Sequence, residues 1–168
     1  KIARKYHSSR NDPRDEIVSF TNSFHGRSLL NISLGNSQMH RDGFEPLMAG
    51  IKQGEFNDIS GLKNLITEKV AAVIVEPVQG EAGVISATSE FLEEIRELTS
   101  KKGVLLIVDE VQSGVGRMGS IYGYMNYGID PDIVTSAKGL GGGIPIGATL
   151  TKRSIGEVMQ PGSHGSTF

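Results

Sequence analysis

Leu105-Leu106-Ile107-Val108-Asp109-Glu110-Val111-Gln112 is an aliphatic run that ends in an acid, and Asp132-Ile133-Val134-Thr135-Ser136-Ala137-Lys138-Gly139 repeats the form with a lysine near its close. Short runs with no polar alternation read as strands buried on both faces, the pattern of a parallel sheet covered by helices. The acid and the lysine are 29 residues apart (138 − 109). That is about one strand-to-strand step of an α/β fold. A carboxylate at one strand end and a primary amine just past the next is therefore the expected arrangement.

The rest of the chain extends this rhythm. Glu16 to Phe20, Val70 to Val75, Val104 to Val108, Asp132 to Ser136 and Ile146 to Thr151 are predicted strands. From Ser89 to Leu98, apolar residues at 91, 92, 95 and 98 follow a helical period, with Thr88 or Ser89 as cap and Gly103 as stop. Asp58 to Lys69 repeats that pattern with Leu62, Leu65 and Ile66. The fold class is α/β, a mostly parallel sheet with helices on both faces. Ligands in such sheets bind beyond the carboxyl ends of the strands, where Glu76, Asp109 and Lys138 all fall. Lys1 to Tyr6 reads as an uncapped helix tail and Gly165 to Phe168 stops in a loop, so the chain is expected to be a fragment of a longer protein.

Composition narrows the function classes. With 17 basic and 19 acidic side chains the net charge of −2 gives no footprint for nucleic acid or an anionic membrane. No run approaches the ~20 apolar residues of a membrane span, and no signal-peptide pattern opens the chain. With no cysteine there is no disulfide framework, which suits a reducing compartment. The four histidines show no ligand spacing, so no metal site is expected. The 22 glycines cluster after Gln112 and after Lys138, marking bends rather than a linker.

An acid and a lysine so placed are what a pyridoxal 5'-phosphate (PLP) enzyme needs. The amine condenses with the cofactor aldehyde, and the carboxylate keeps the pyridine nitrogen protonated. Val108-Asp109-Glu110 also has the form of a magnesium-binding strand end of an ATPase, but no G-x-x-x-x-G-K-[ST] loop accompanies it. An acid that merely ends a strand is the plain structural alternative. Gly114-Val115-Gly116-Arg117-Met118-Gly119 matches G-x-G-x-x-G, yet it does not follow the strand directly and opens no helix, so it reads as an active-site loop. His25, in Ser23-Phe24-His25-Gly26-Arg27, could be a satisfied loop histidine; Phe24 beside it can stack on a flat cofactor, and Arg27 can fork onto a carboxylate. Glu76 and Glu81, five apart in Glu76-Pro77-Val78-Gln79-Gly80-Glu81, are either solvated loop acids or charges tuning a cleft shared with Asp109 and Arg27.

Together, the segments Ser23 to Arg27, Val75 to Glu81, Val108 to Gln112, Pro131 to Lys138 and His164 to Thr167 resemble the class-III (subgroup II) PLP-dependent aminotransferases of fold type I. Within that family the Ser23 to Ser28 loop leans toward the acetylornithine group. The resemblance implies that Lys138 condenses with the cofactor and shuttles a proton, and that Asp109 pairs with the pyridinium nitrogen. Gln112 would bond the ring's phenolic oxygen, with Val111 on one ring face and Phe24 on the other. Arg27 would take a substrate carboxylate. Glu81 matches a switch acid that pairs with an arginine when an amino donor is bound, with Glu76 in support. Ser166 and Thr167 match residues that reach the cofactor phosphate of a neighbouring subunit, so a homodimer with shared active sites is implied.

On this resemblance, residues 1–168 form part of a PLP-binding large domain without its N-terminal segment, which carries the phosphate-binding loop, and without the C-terminal small domain, which carries the switch arginine. The implied activity moves the terminal amino group of N2-acetyl-L-ornithine to 2-oxoglutarate, in arginine biosynthesis. Ornithine aminotransferase and other ω-amino acid transaminases are the enzymatic alternatives, and an inactive homologue serving as a binding partner is the non-enzyme one. Intact Asp109, Gln112 and Lys138 argue against the last. The expected setting is the cytoplasm or, in a eukaryote, the mitochondrial matrix or a plastid.

Overall fold

A computed structural model describes residues 1–165. Its centre is a six-stranded sheet in the order β2-β1-β3-β6-β7-β8, formed by β1 (Glu16–Phe20), β2 (Ile51–Gly54), β3 (Val70–Val75), β6 (Leu105–Asp109), β7 (Ile133–Ser136) and β8 (Ala148–Thr151). All neighbours run parallel except β7 and β8. A small hairpin, β4 (Val78–Gln79) with β5 (Ile85–Ser86), stands beyond the end of β3.

Both sheet faces are covered, as the unbroken apolar strands require. On one face Val18, Phe20, Val73, Val75, Leu106 and Val108 pack against Phe91, Leu92, Ile95 and Leu98 of α5 (Ser89–Lys102). On the other, Ala72, Leu105 and Ile133 meet Ala3 of α1 (Ile2–Ser8) and Ile155 of α6 (Arg153–Gly156). The α5 boundaries follow from its chemistry. Thr88 accepts a bond from Phe91 N–H at the start, and Gly103 ends the helix at φ +63°, a left-handed conformation that glycine adopts without penalty. Asp132 then locks helix to sheet, accepting from Arg96 Nη1 at 2.9 Å and from Leu106 N–H at 2.8 Å.

Three details depart from the sequence reading. Of the helix expected over Asp58 to Lys69, only α4 (Leu62–Leu65) forms. Asp58 Oδ1 ties back the N–H and hydroxyl of Ser60 in a turn, and the chain must already be extended at Val70. β2 was not legible because Ile51-Lys52-Gln53-Gly54 has a single apolar residue and lies half-buried at the sheet edge. β8 starts at Ala148 rather than Ile146 and runs antiparallel. Its connection, residues 137–147, carries a single 3₁₀ turn, Lys138–Gly141, too short to make the crossover that a parallel strand needs. Two short helices, α2 (Leu29–Leu34) and α3 (Gln38–Arg41), fill the link from β1 to β2.

Phe91 is fully buried, in edge-to-face contact with Phe20 and Phe56. Phe91→Ala should cost about 3–5 kcal/mol in urea unfolding, and Thr88→Ala about 1 kcal/mol. Equal losses from the two would show that α5 does not anchor the core.

Candidate active site

Parallel strands deliver their carboxyl ends to one edge of the sheet, and three of the expected residues gather there. Asp109 is the last residue of β6, Glu76 directly follows β3, and Lys138 lies two residues past β7. In the β6–β7 register Asp109 faces Thr135. Thr135 Oγ1 donates to Asp109 Oδ1 at 3.1 Å, and Val111 N–H reaches the same oxygen at 3.1 Å. The other oxygen, Oδ2, takes His25 Nδ1–H at 2.7 Å. Three donors from three segments thus fix a carboxylate only 7% exposed.

His25 is the residue that sequence reasoning left undecided. Its side chain is 1% exposed, and its second ring nitrogen, Nε2, has no hydrogen-bond partner among the described residues. The one available signal was its place in the loop after a strand, at the same sheet edge as Asp109. Glu76 sits beside it. This acid is 4% exposed, and its Oε2 accepts Phe24 N–H at 3.0 Å. Burial pushes its carboxyl up to about 7, against the favourable charge of His25 and the Phe24 bond, with Asp109 raising it further and Lys138 lowering it.

Lys138 is exposed and opens a one-turn 3₁₀ segment, Lys138–Gly141, at φ +47°. A left-handed lysine is strained by roughly 1 kcal/mol or more, a strain that concentrates at functional sites. Its amine has no hydrogen-bond partner among the described residues. It lines a cleft of about 560 Å³ with Glu81, Val111, Gln112, Val115 and Arg117. Gln112 Nε2 donates to Glu81 Oε1 at 2.9 Å. Gly80 makes room for this pair, since a Cβ there would overlap Gln112 Oε1. Val115 and Arg117 come from the Gly114 to Gly119 stretch that the sequence reads as an active-site loop, although neither was singled out there.

Phe24 and Arg27 lie on the β1 side of the edge. The Arg27 guanidinium stands 5.5 Å from the centroid of the Phe24 ring, and His40 meets that ring edge-on. Arg27 is exposed and engages no carboxylate among the described residues. Ser166 and Thr167 lie outside the described residues. A larger cleft, about 700 Å³, opens at the opposite end of β7, but its charges pair with one another, Arg96 with Asp132 and Lys152 with Asp130. It holds none of the expected residues.

Residues 1–168 match the family described as aminotransferase class-III. The chain belongs to that family. It is 50% identical to a succinylornithine transaminase of Salmonella typhi over its whole length, which is 41% of that relative's length. Among solved structures it is similar to an ornithine aminotransferase from Toxoplasma gondii ME49, with TM-score 0.94 and 34% identity over 99% of this chain and 41% of that one. It is also similar to an N-acetylornithine aminotransferase from Stenotrophomonas maltophilia K279a, with TM-score 0.76 and 38% identity over 94% of this chain and 38% of that one. The mostly parallel sheet with helices on both faces is the fold these neighbours share.

The Glu76 carboxyl has a consequence for stability. Folded, it keeps its proton to about pH 7, whereas the ordinary value is 4.5. Between those limits the folded state binds more protons than the unfolded chain, so stability falls as pH rises. The loss is about 3 kcal/mol across the window. In the cofactor-free full-length protein, Glu76→Gln should flatten the decline in melting temperature between these pH values. An undiminished decline would mean another group causes it.

Proposed function

We propose that the full-length protein is a PLP-dependent ω-aminotransferase that moves the terminal amino group of N2-acetyl-L-ornithine to 2-oxoglutarate, in arginine biosynthesis. In this reading residues 1–168 are part of the PLP-binding large domain of a homodimer. The observation that carries it is a Lys138 amine without a hydrogen-bond partner among the described residues and an Asp109 carboxylate held by three donors, at the ends of adjacent parallel strands.

The residues fit the cofactor. A flat cationic ring needs a fixed acceptor, which Asp109 provides, and its aldehyde needs an amine without competing bonds, which Lys138 provides. Bound there, PLP supplies an aldehyde to take up the amino group and a protonated ring to withdraw electrons from the carbon losing its proton. Lys138 Nζ then takes the proton from the terminal carbon and returns it on the other side of the exchange. Asp109 holds the ring nitrogen's proton, while Val111, Gln112 and Phe24 bound the ring. Arg27 receives the α-carboxylate of the donor. Glu81, held by Gln112, is the acid that pairs with the switch arginine. Ser166 and Thr167 are assigned to the partner's phosphate.

Two named relatives act as support for the donor class. Succinylornithine transaminase and N-acetylornithine aminotransferase are both named for N-acylated ornithines. The structural neighbour named for ornithine keeps that substrate as the second reading.

Full-length protein should prefer acetylornithine to ornithine by at least about tenfold in kcat/KM, a difference of about 1.4 kcal/mol in transition-state binding. Lys138→Ala should lower kcat by at least about 100-fold with either donor. A preference for ornithine would replace the substrate; full activity in the lysine variant would remove the mechanism.

A further inference from the structure

Six residues other than glycine have a positive φ among the described residues, and three of them are asparagines, which adopt that conformation readily. The remaining three are Val84 (φ +61°), Val115 (φ +57°) and Lys138 (φ +47°). Val115 and Lys138 line the same cleft. A β-branched residue in the left-handed region is an outlier, and such strain persists only where the surroundings impose it. Val115 also sits between Gly114 and Gly116, at a loop position where glycine would carry no strain. Core burial does not account for the valine, since it is 42% exposed.

The loop fixes the path of residue 115. Val115 N–H and Gly116 N–H both donate to the Ile121 carbonyl, at 2.7 and 3.3 Å, and Gly114 N–H donates to the Glu110 carbonyl at 2.9 Å. A Cβ at position 114 would lie 2.7 Å from that carbonyl oxygen and 3.0 Å from Tyr122 Cδ1, so the backbone passes through a narrow slot. Glu110, fully buried, anchors the slot through Ser113 Oγ and Tyr124 N–H. What the valine side chain then covers is the turn that carries the lysine. A Cβ at position 139 would stand 3.6 Å from Val115 Cβ and 3.9 Å from its Cγ1, ordinary van der Waals contact.

We propose that Val115 is a positioning residue for Lys138: its side chain backs the Gly139 side of the lysine's turn and so limits the movement of the backbone from which the amine is aimed. The turn's own bonds run within it, from Leu140 N–H to the Ala137 carbonyl at 3.0 Å and from Gly142 N–H to the Gly139 carbonyl at 3.2 Å. Gly139, Gly141, Gly142 and Gly143 bring no side chains to pack, and Leu140 is exposed. A glycine-rich 3₁₀ turn of this kind opens easily. A wall against Gly139 removes some of the conformations open to it. Because the Glu110-anchored loop imposes the valine's own conformation, that wall is stiff.

The support is tested in cofactor-free full-length protein by rapid hydrogen exchange over residues 137–144. Val115→Gly should speed exchange there about tenfold or more and leave β3 and β6 unchanged. It should melt within about 3 °C of wild type, because the side chain lost is half-exposed and a left-handed strain goes with it. Gly139→Ala adds a carbon against Val115, so it should slow exchange in the wild-type background, and by about threefold less in the Val115→Gly background. An unchanged rate in Val115→Gly overturns the proposal, as do effects at 115 and 139 that simply multiply. Exchange that quickens equally through β3 and β6 marks a general loosening and overturns it too.

The consequence for catalysis rests on the functional reading above. In PLP-loaded protein Val115→Gly should lower kcat about tenfold and change KM about twofold or less, because Lys138 is aimed less well while the substrate's contacts stand. Val115→Ala keeps the Cβ that faces Gly139 and should stay within about threefold of wild type in kcat and in exchange. A raised KM with kcat unchanged in Val115→Gly would make the valine a substrate contact and overturn the positioning role. A wild-type protein that transaminates no donor would defeat the functional reading while the exchange measurements still decide this one.

Discussion

The site depends on strand direction. β1, β3, β6 and β7 all run the same way, so their exits reach one edge, and His25, Glu76, Asp109 and Lys138 arrive there from distant parts of the chain. The 2.7 Å bond from His25 to Asp109 joins residues 84 positions apart. It needs β1 and β6 to stay in register with β3 between them, which the buried valines and leucines of these strands ensure. A register slip of one residue would turn Asp109 to the opposite face and bring Val108 or Glu110 toward the cleft. Packing on the α5 side is therefore a condition for the geometry at the strand ends.

Much of this was legible because buried parallel strands leave an unambiguous mark. Val70 to Val75 and Leu105 to Asp109 are apolar without interruption, so strand, burial and the position of the closing acid all follow. Where the physical demand is weaker the pattern fades. The edge strand β2 needs one half-buried face and carries one aliphatic residue. The stretch over Asp58 to Lys69 has helical spacing, but local side-chain bonds at Asp58 and Ser60 compete with a helix and win. At the site, Asp109, Glu76 and Lys138 could be placed from their strands alone. The His25 partnership could not, since a pairing across space leaves no trace in local spacing. Nor could the burial that separates Glu76 from Glu81: the first lies 4% exposed at the strand end, while the second is exposed five residues on, in the hairpin.

Three acids at this edge show how surroundings assign roles to one functional group. Asp109 has three donors and serves as a fixed acceptor. Its neighbour Glu110 points the other way, fully buried, accepting from Ser113 Oγ at 2.6 Å and Tyr124 N–H at 2.7 Å. That pair of bonds staples the loop holding Val115 and Arg117, so Glu110 shapes the cleft wall without entering it. Glu76 is buried with one backbone donor among the described residues, so it holds a proton that a solvated glutamate would release. Had Glu76 been given Asp109's three donors, burial alone would not have kept it protonated, and two adjacent anions would repel across the floor.

Lys138 is positioned by the opposite means. Among the described residues no side-chain bond aims its amine, so its direction comes from the backbone. The β7–β8 ladder fixes Ser136, and Leu140 N–H closes a turn onto the Ala137 carbonyl at 3.0 Å. Between them Lys138 is held at φ +47°. An amine aimed by an ion pair would have to break that pair before reacting. One aimed by the backbone keeps its amine free for chemistry, at a strain of roughly 1 kcal/mol.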